Sequence, residues 1–364
     1  MERFVFNLAV ALAVIFAVFA ALGVGHLKWE FGDAFGSDPV VRSPAQQVAA
    51  QTYAAASVQI EHAAARIIVI PEARTDISVA IDNPGGVPTP HVQLDGDAVR
   101  IDGGLRGRVR DCRNEGVELS GYGAVATAQL PEITIHAPMA VTISVDTGST
   151  TQIGAAQSVD AEFSGCGGAT IADVAGPLKL SVSGSTHVTA GAAQALNVEV
   201  SGSGHAQIGA VSGDAEVQIG GSGDVAVASL TGDLKSDLGG SGNLGVAAGA
   251  INRADIDIGG SGTTHLGAPV QTLSVDIAGS GAVDVVHGPL PEADLDVGGS
   301  GHVRLAGPVT NLHVSLAGSG GVEVDGAVQD LDAEIAGSGV VRAAEVTGEM
   351  HKEIFGPGQV VIGR

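Results

Sequence analysis

Aromatic side chains are scarce: eight Phe, two Tyr and one Trp in 364 residues, and from Gly165 onward only Phe355. A long groove that processes polysaccharide needs aromatic platforms and clustered acids or bases, so carbohydrate chemistry and aromatic-based glycan adhesion both lose support. Basic side chains are equally few, with seventeen Lys and Arg against forty Asp and Glu, a net charge of −23. That balance excludes nucleic acid as a partner and repels an anionic membrane surface. Only two cysteines are present, Cys112 and Cys166, and they form no C-x-x-C motif. No G-x-S-x-G elbow sits between a strand and a helix, and no cofactor is implied, so the chain reads as non-enzymatic.

Glycine is abundant, at 55 residues, yet the chain is 45% hydrophobic. That is too apolar for an acidic disordered tail, and regular Val, Ile and Leu between the glycines exclude a flexible linker. Phe4 to Val24 is an apolar run interrupted only by Asn7. At ~1.5 Å per residue it spans roughly 31 Å, which matches a hydrocarbon core. Its length favours an uncleaved transmembrane helix over a signal peptide cut after Ala20. Residues 1–25 therefore read as an anchor or signal segment and 26–51 as a linker. Either reading carries the remainder out of the cytoplasm. There Cys112 and Cys166 fit one disulfide, with two buried free thiols as the alternative.

A G-x-G triplet recurs with central residues Ser149, Cys166, Ser185, Ser203, Ser222, Ser241, Ser261, Ser280, Ser300, Ser319, Ser338 and Pro357. Successive spacings run from 17 to 20 residues, most of them 19. A fixed period of this size marks a solenoid. Apolar and polar residues alternate on both sides of each triplet, as in Leu331-Asp332-Ala333-Glu334-Ile335 and Val322-Glu323-Val324, which predicts strands with one buried face. A third aliphatic column follows, comprising Val211, Leu230, Ile251, Val270, Leu290, Val309, Val328 and Val346. Nineteen residues are too few for a strand-helix-strand unit, which needs about 30. The fold class predicted is all-β, a single-stranded parallel β-helix over 147–364. At ~4.8 Å per coil it extends roughly 53 Å. The glycines read as corners that need positive φ and close backbone stacking.

Residues 52–146 read as irregular early coils, with strands around Ile67, Val79 and Val99 and loops over Pro84–His91 and Arg106–Glu118. At the other end Lys352 falls where other coils place an inward Val or Ala. It reads as a charged blocker of the last edge, with end-to-end self-association through the C-terminal coil as the alternative.

The corners and alternating strands behind an apolar N-terminal segment resemble the bacterial auto-transporter adhesin, head GIN domain, family. Ile219-Gly220-Gly221-Ser222-Gly223-Asp224 and Val198-Glu199-Val200-Ser201-Gly202-Ser203-Gly204 carry the resemblance, which covers roughly residues 60–355. It implies an extracytoplasmic β-solenoid and suggests adhesion. No C-terminal translocator barrel is evident, so auto-transport is not carried over. The expected setting is the bacterial envelope. Either the solenoid is periplasmic and anchored in the inner membrane, or it is exported if the leader is removed. The expected partner is an envelope or surface protein.

Candidate chemistry lies in two outward columns. Three residues before each corner stand Glu162, Ser181, Glu199, Gln218, Asp237, Asp257, Asp276, Asp296, Ser315, Glu334 and Glu353, eight of these eleven acidic. Stacked carboxylates repel and attract cations, so Asp237, Asp257, Asp276 and Asp296 are candidate calcium ligands. Solubility and protection against lateral aggregation are the simpler explanation. Just after the corner, His187, His205 and Asp224 form a second candidate metal set, provided adjacent coils are in register. His302 and His313 show no comparable neighbours in the sequence. Calcium-roll repeats have a period of about nine and acids in another register, and phosphate loops require a following helix, so neither applies.

Overall fold

Alternation of apolar and polar residues decides the structure, a computed structural model describing residues 40, 42–113, 116–286 and 288–363. The apolar run Phe4–Val24 and most of the expected linker lie outside these residues. Among the described residues no helix is long and apolar enough to cross a membrane. The helical content there is one short 3-10 turn, Thr127–Gln129.

From Ala140 onward the chain winds into parallel coils. The strand Ala140–Ile153 pairs along its whole length with Ser158–Ile171, and each later coil pairs with the next. One coil illustrates the rest. Leu290–Val297 has Leu290, Ala293, Leu295 and Val297 buried, and a corner at Ser300 follows it. His302–Leu305 then buries Val303 and Leu305, and a Gly-Pro bend seats Val309 against Leu290 of the same column. Each fully buried Val, Leu or Ile contributes roughly 1.5–3 kcal/mol, and in-register stacking lets like side chains pack on one another. The third column is buried from Val211 to Val328, but Val346 is only half-buried. The twenty-residue coil between Ser241 and Ser261 absorbs its extra residue as a bulge, between Gly232 and Leu234 opposite Ile251 and Ala254.

The corners differ in two respects from the expectation. A left-handed backbone occurs at some glycines, such as Gly184 with φ 92°, but not at Gly240 or Gly242. There the requirement is close approach. A Cβ on Gly240 would collide with the carbonyl oxygen of Gly221, and one on Gly242 with that of Gly223 and with Ile219 Cγ2. The Gly221 carbonyl also accepts a rung of the corner ladder, from Ser241 N at 2.9 Å, and the next rung runs from Ser261 N to Gly240 O at 2.9 Å. Ser149 departs from the file, because Gly148 rather than Ser149 pairs with Cys166, and Ser149 is buried. The serine side chains from Ser185 to Ser338 are exposed.

The N-terminal region is not a set of coils of one parallel helix. Ile77–Asn83 pairs antiparallel with Gln46–Tyr53 and with Glu132–Pro138, and His91–Asp95 forms a hairpin with Ala98–Asp102. The first of these strands begins at Gln46, within the segment read as a linker. Arg106–Glu118, read as a loop, contains strands. Val109–Arg113, Gly116–Leu119 and Gly123–Ala126 make a separate antiparallel sheet over a small core of Leu105, Val117, Leu119 and Leu130. A disulfide between Cys112 and Cys166, with Cα atoms 5.7 Å apart, fastens this sheet to the first corner of the solenoid.

Candidate binding face

The strands that precede the corners place the acidic column in register. Pairing runs from Gln218 to Asp237, then to Asp257, Asp276, Asp296, Ser315, Glu334 and Glu353. Alternation turns these side chains outward while Leu238, Ile258, Ile277 and Val297, one residue on, are buried. None of Asp237, Asp257, Asp276 and Asp296 makes an ion pair among the described residues. Burial first, then the neighbouring carboxylates of Asp276, Asp237 and Asp255, push the Asp257 carboxyl above its ordinary value; Lys235 opposes them. The electrostatic cost of stacking like charges is thus felt at the centre of the file.

The column two residues earlier is compensated over part of its length. Lys179 Nζ lies 3.2 Å from Asp160, Asn197 donates to Glu216 at 3.1 Å, and His313 Nδ1 lies 3.4 Å from Asp332 Oδ2. The sequence reading left His313 without a neighbour; coil pairing supplies Asp332, nineteen residues on. Between these pairs stand Asp255, 3.6 Å from Arg253, and Asp294, so with Glu292 seven carboxylates share the middle of the face with Lys235 and Arg253. The face is strongly negative along its centre.

The strands after the corners carry a different pattern. His187, His205, Asp224 and Asn243 are paired in successive coils. The two imidazole centroids lie 4.8 Å apart, His205 Nδ1 is 3.1 Å from Asp224 Oδ2, and Asn243 donates to Asp224 Oδ1 at 2.8 Å. The structure brings the three candidate ligands into one row. Yet among the described residues no group of three His, Cys, Asp or Glu could hold a metal ion, in this row or in the acidic file. A row one coil apart spreads its donors along a line, whereas a metal needs them to converge.

Sequence reasoning missed two features. On this second face His265, Asp284, Arg304, Glu323 and Arg342 form one column of mostly alternating charge. His265 lies 3.2 Å from Asp284, and Arg304 lies 2.8 Å from Asp325, a hydrogen bond that holds the Arg304 guanidinium above its usual pKa. A column count at period nineteen would have found it. The other is His62, the one non-glycine described residue with positive φ, at 51°. It is the extra residue where Glu61 and Ala63 oppose Asp146 and Thr147. Its buried Nδ1 has no hydrogen-bond partner and lies 3.6 Å from Asp102. It lines a cavity of about 290 Å³ beside Cys166. Nothing in the local sequence announces a bulge there.

The architecture of corners, inward columns and outward acids has a counterpart among known families. The family described as "putative auto-transporter adhesin, head GIN domain" matches residues 170–289 and 290–362, more than half of the chain. The chain belongs to this family. No curated protein matches it. Crystal structures similar to the chain include two from Parabacteroides. One, described as a putative adhesin from Parabacteroides merdae, is 14% identical, with 88% of this chain and 97% of that chain covered and a TM-score of 0.27. The other, described as a putative lipid binding protein from Parabacteroides distasonis, is 12% identical, with coverage of 88% and 98% and a TM-score of 0.26. At such TM-scores neither bears on function.

Proposed function

We propose that this protein is a non-enzymatic binding or structural scaffold of the adhesin-like type, working outside the cytoplasm. Residues 4–24 would anchor it in the envelope membrane. Its acidic strand face would engage a positively charged envelope or surface protein. Family membership supports the binding role and the extracytoplasmic setting. The observation that carries the choice of face is the file Asp237, Asp257, Asp276 and Asp296, in register and without ion pairs. Such an array steers a basic partner and fixes its orientation without a cleft.

The test is capture from envelope extract by the full chain and by a variant with all four aspartates changed to asparagine. The proposal requires captured proteins that the variant loses and that added salt releases. Identical capture by both proteins would sink it. Fractionation with external protease tests the anchor, because a cytoplasmic solenoid would overturn the assignment.

A second reading, an acidic scaffold with which calcium associates along the file without a closed site, draws on the same unpaired carboxylates. Millimolar calcium should then raise the melting temperature of the wild type and not of the fourfold variant; no shift removes the reading.

A further inference from the structure

The last described coil breaks the rule that every earlier coil keeps. In the middle inward column of the acidic side stand Val275, Leu295, Val314 and Ala333, each buried. The next residue in that column is Lys352, paired directly with Ala333, and no other member of the column among the described residues is charged. Its companions are apolar: Met350 pairs with Leu331 and Ile354 with Ile335. All six residues of Met350–Phe355 are exposed, with Met350 46%, Ile354 37% and Phe355 63% accessible. Among the described residues no strand pairs with the far edge of Met350–Phe355 or of Gln359–Ile362. Lys352 makes no ion pair among the described residues.

An apolar coil end with a free edge is the surface on which a β-solenoid adds another coil. The surface best shaped to it is a second copy of the same end, meeting it across a two-fold axis with antiparallel strands. The register that sets Met350 opposite Ile354 of a partner strand places Lys352 against the partner's Lys352. A shift of two residues either way sets Lys352 against Met350 or Ile354. Every register that matches the inward faces therefore removes an ammonium group from water without a counter-charge, and burial of an unpaired charge is strongly unfavourable.

We propose that Lys352 acts as a charged stop on the exposed face of this coil and keeps it from docking tail-to-tail on a second copy. The stop acts through position. The same lysine one residue earlier or later would point outward and leave the inward column apolar.

The experiment is sedimentation of the full chain in mild detergent at neutral pH. Wild type should sediment as a monomer and Lys352→Val at twice the protein mass. Lys352→Glu should remain monomeric, since a carboxylate is no easier to bury. Adding Met350→Asp to Lys352→Val should restore the monomer, which separates docking at this coil from aggregation or misfolding. A monomeric Lys352→Val protein would overturn the proposal. So would a dimer that Met350→Asp does not dissolve, or a wild-type dimer that Met350→Asp splits.

Discussion

Cys112 is bonded to Cys166, and Cys166 stands where the regular corners carry an exposed serine. A corner that differs chemically is thus the one that holds the separate three-stranded sheet to the solenoid. The loop closed by this bond spans 54 residues.

Cys112→Ser together with Cys166→Ser should cost about 4 kcal/mol by loop entropy. The loss should be local. Limited proteolysis is expected to cut within residues 104–126 while the β-sheet signal in circular dichroism persists. Unchanged resistance in that segment would show that the small core holds the sheet unaided.

Gly240→Ala should be much worse than Ser241→Ala. The added methyl meets the Gly221 carbonyl oxygen, which is already fixed by its bond from Ser241 N at 2.9 Å. Overpacking of this kind costs about 1–3 kcal/mol. The serine side chain points to solvent, and its removal should stay within about 0.5 kcal/mol. Denaturant midpoints compare the two. A costly Ser241→Ala would mean that the corner hydroxyls do more than occupy a turn.

Thr264 is fully buried, and its hydroxyl has no hydrogen-bond partner. Thr264→Val keeps the shape and removes the unpaired group. It should stabilise the chain by about 1 kcal/mol, read as a higher melting temperature. A lower melting temperature would reveal a hydrogen bond, through a bound water for example, that the substitution breaks.

Asp257 sets a pH dependence. A carboxyl whose folded pKa is raised binds its proton more tightly in the folded state. Its favourable contribution is therefore complete below the unfolded value of 3.8 and is lost as pH rises through the raised folded value. At neutral pH Asp257→Asn should raise the melting temperature, and the gain should shrink as pH falls into the carboxylate range. Added salt should shrink it too. A gain independent of pH would assign the effect to packing.

The period of the G-x-G triplets and the alternation around them made the coils and the acidic file legible, because each coil repeats the same local problem of burying one face. The reason for the glycines was not legible. Positive φ and close approach leave the same residue in the sequence, and only the stacking of Gly240 on Gly221 separates them. The slip that buries Ser149 was not read: Ser149 was counted in the ladder although its spacing to Cys166 is the shortest. Residues 104–126 gave little signal, since three strands of four or five residues hold too few alternations to stand out from a loop.

The sequence by itself determined the solenoid, its coil length, and which residues face out along the acidic column. All of these follow from periodicity, which is a property of the chain alone. Only the tertiary structure decided that Cys112 reaches Cys166, that His62 is bulged beside Asp102, and that His187, His205 and Asp224 lie in a row without converging on a metal. Those relationships depend on distances between segments far apart in the chain, and no local pattern encodes them.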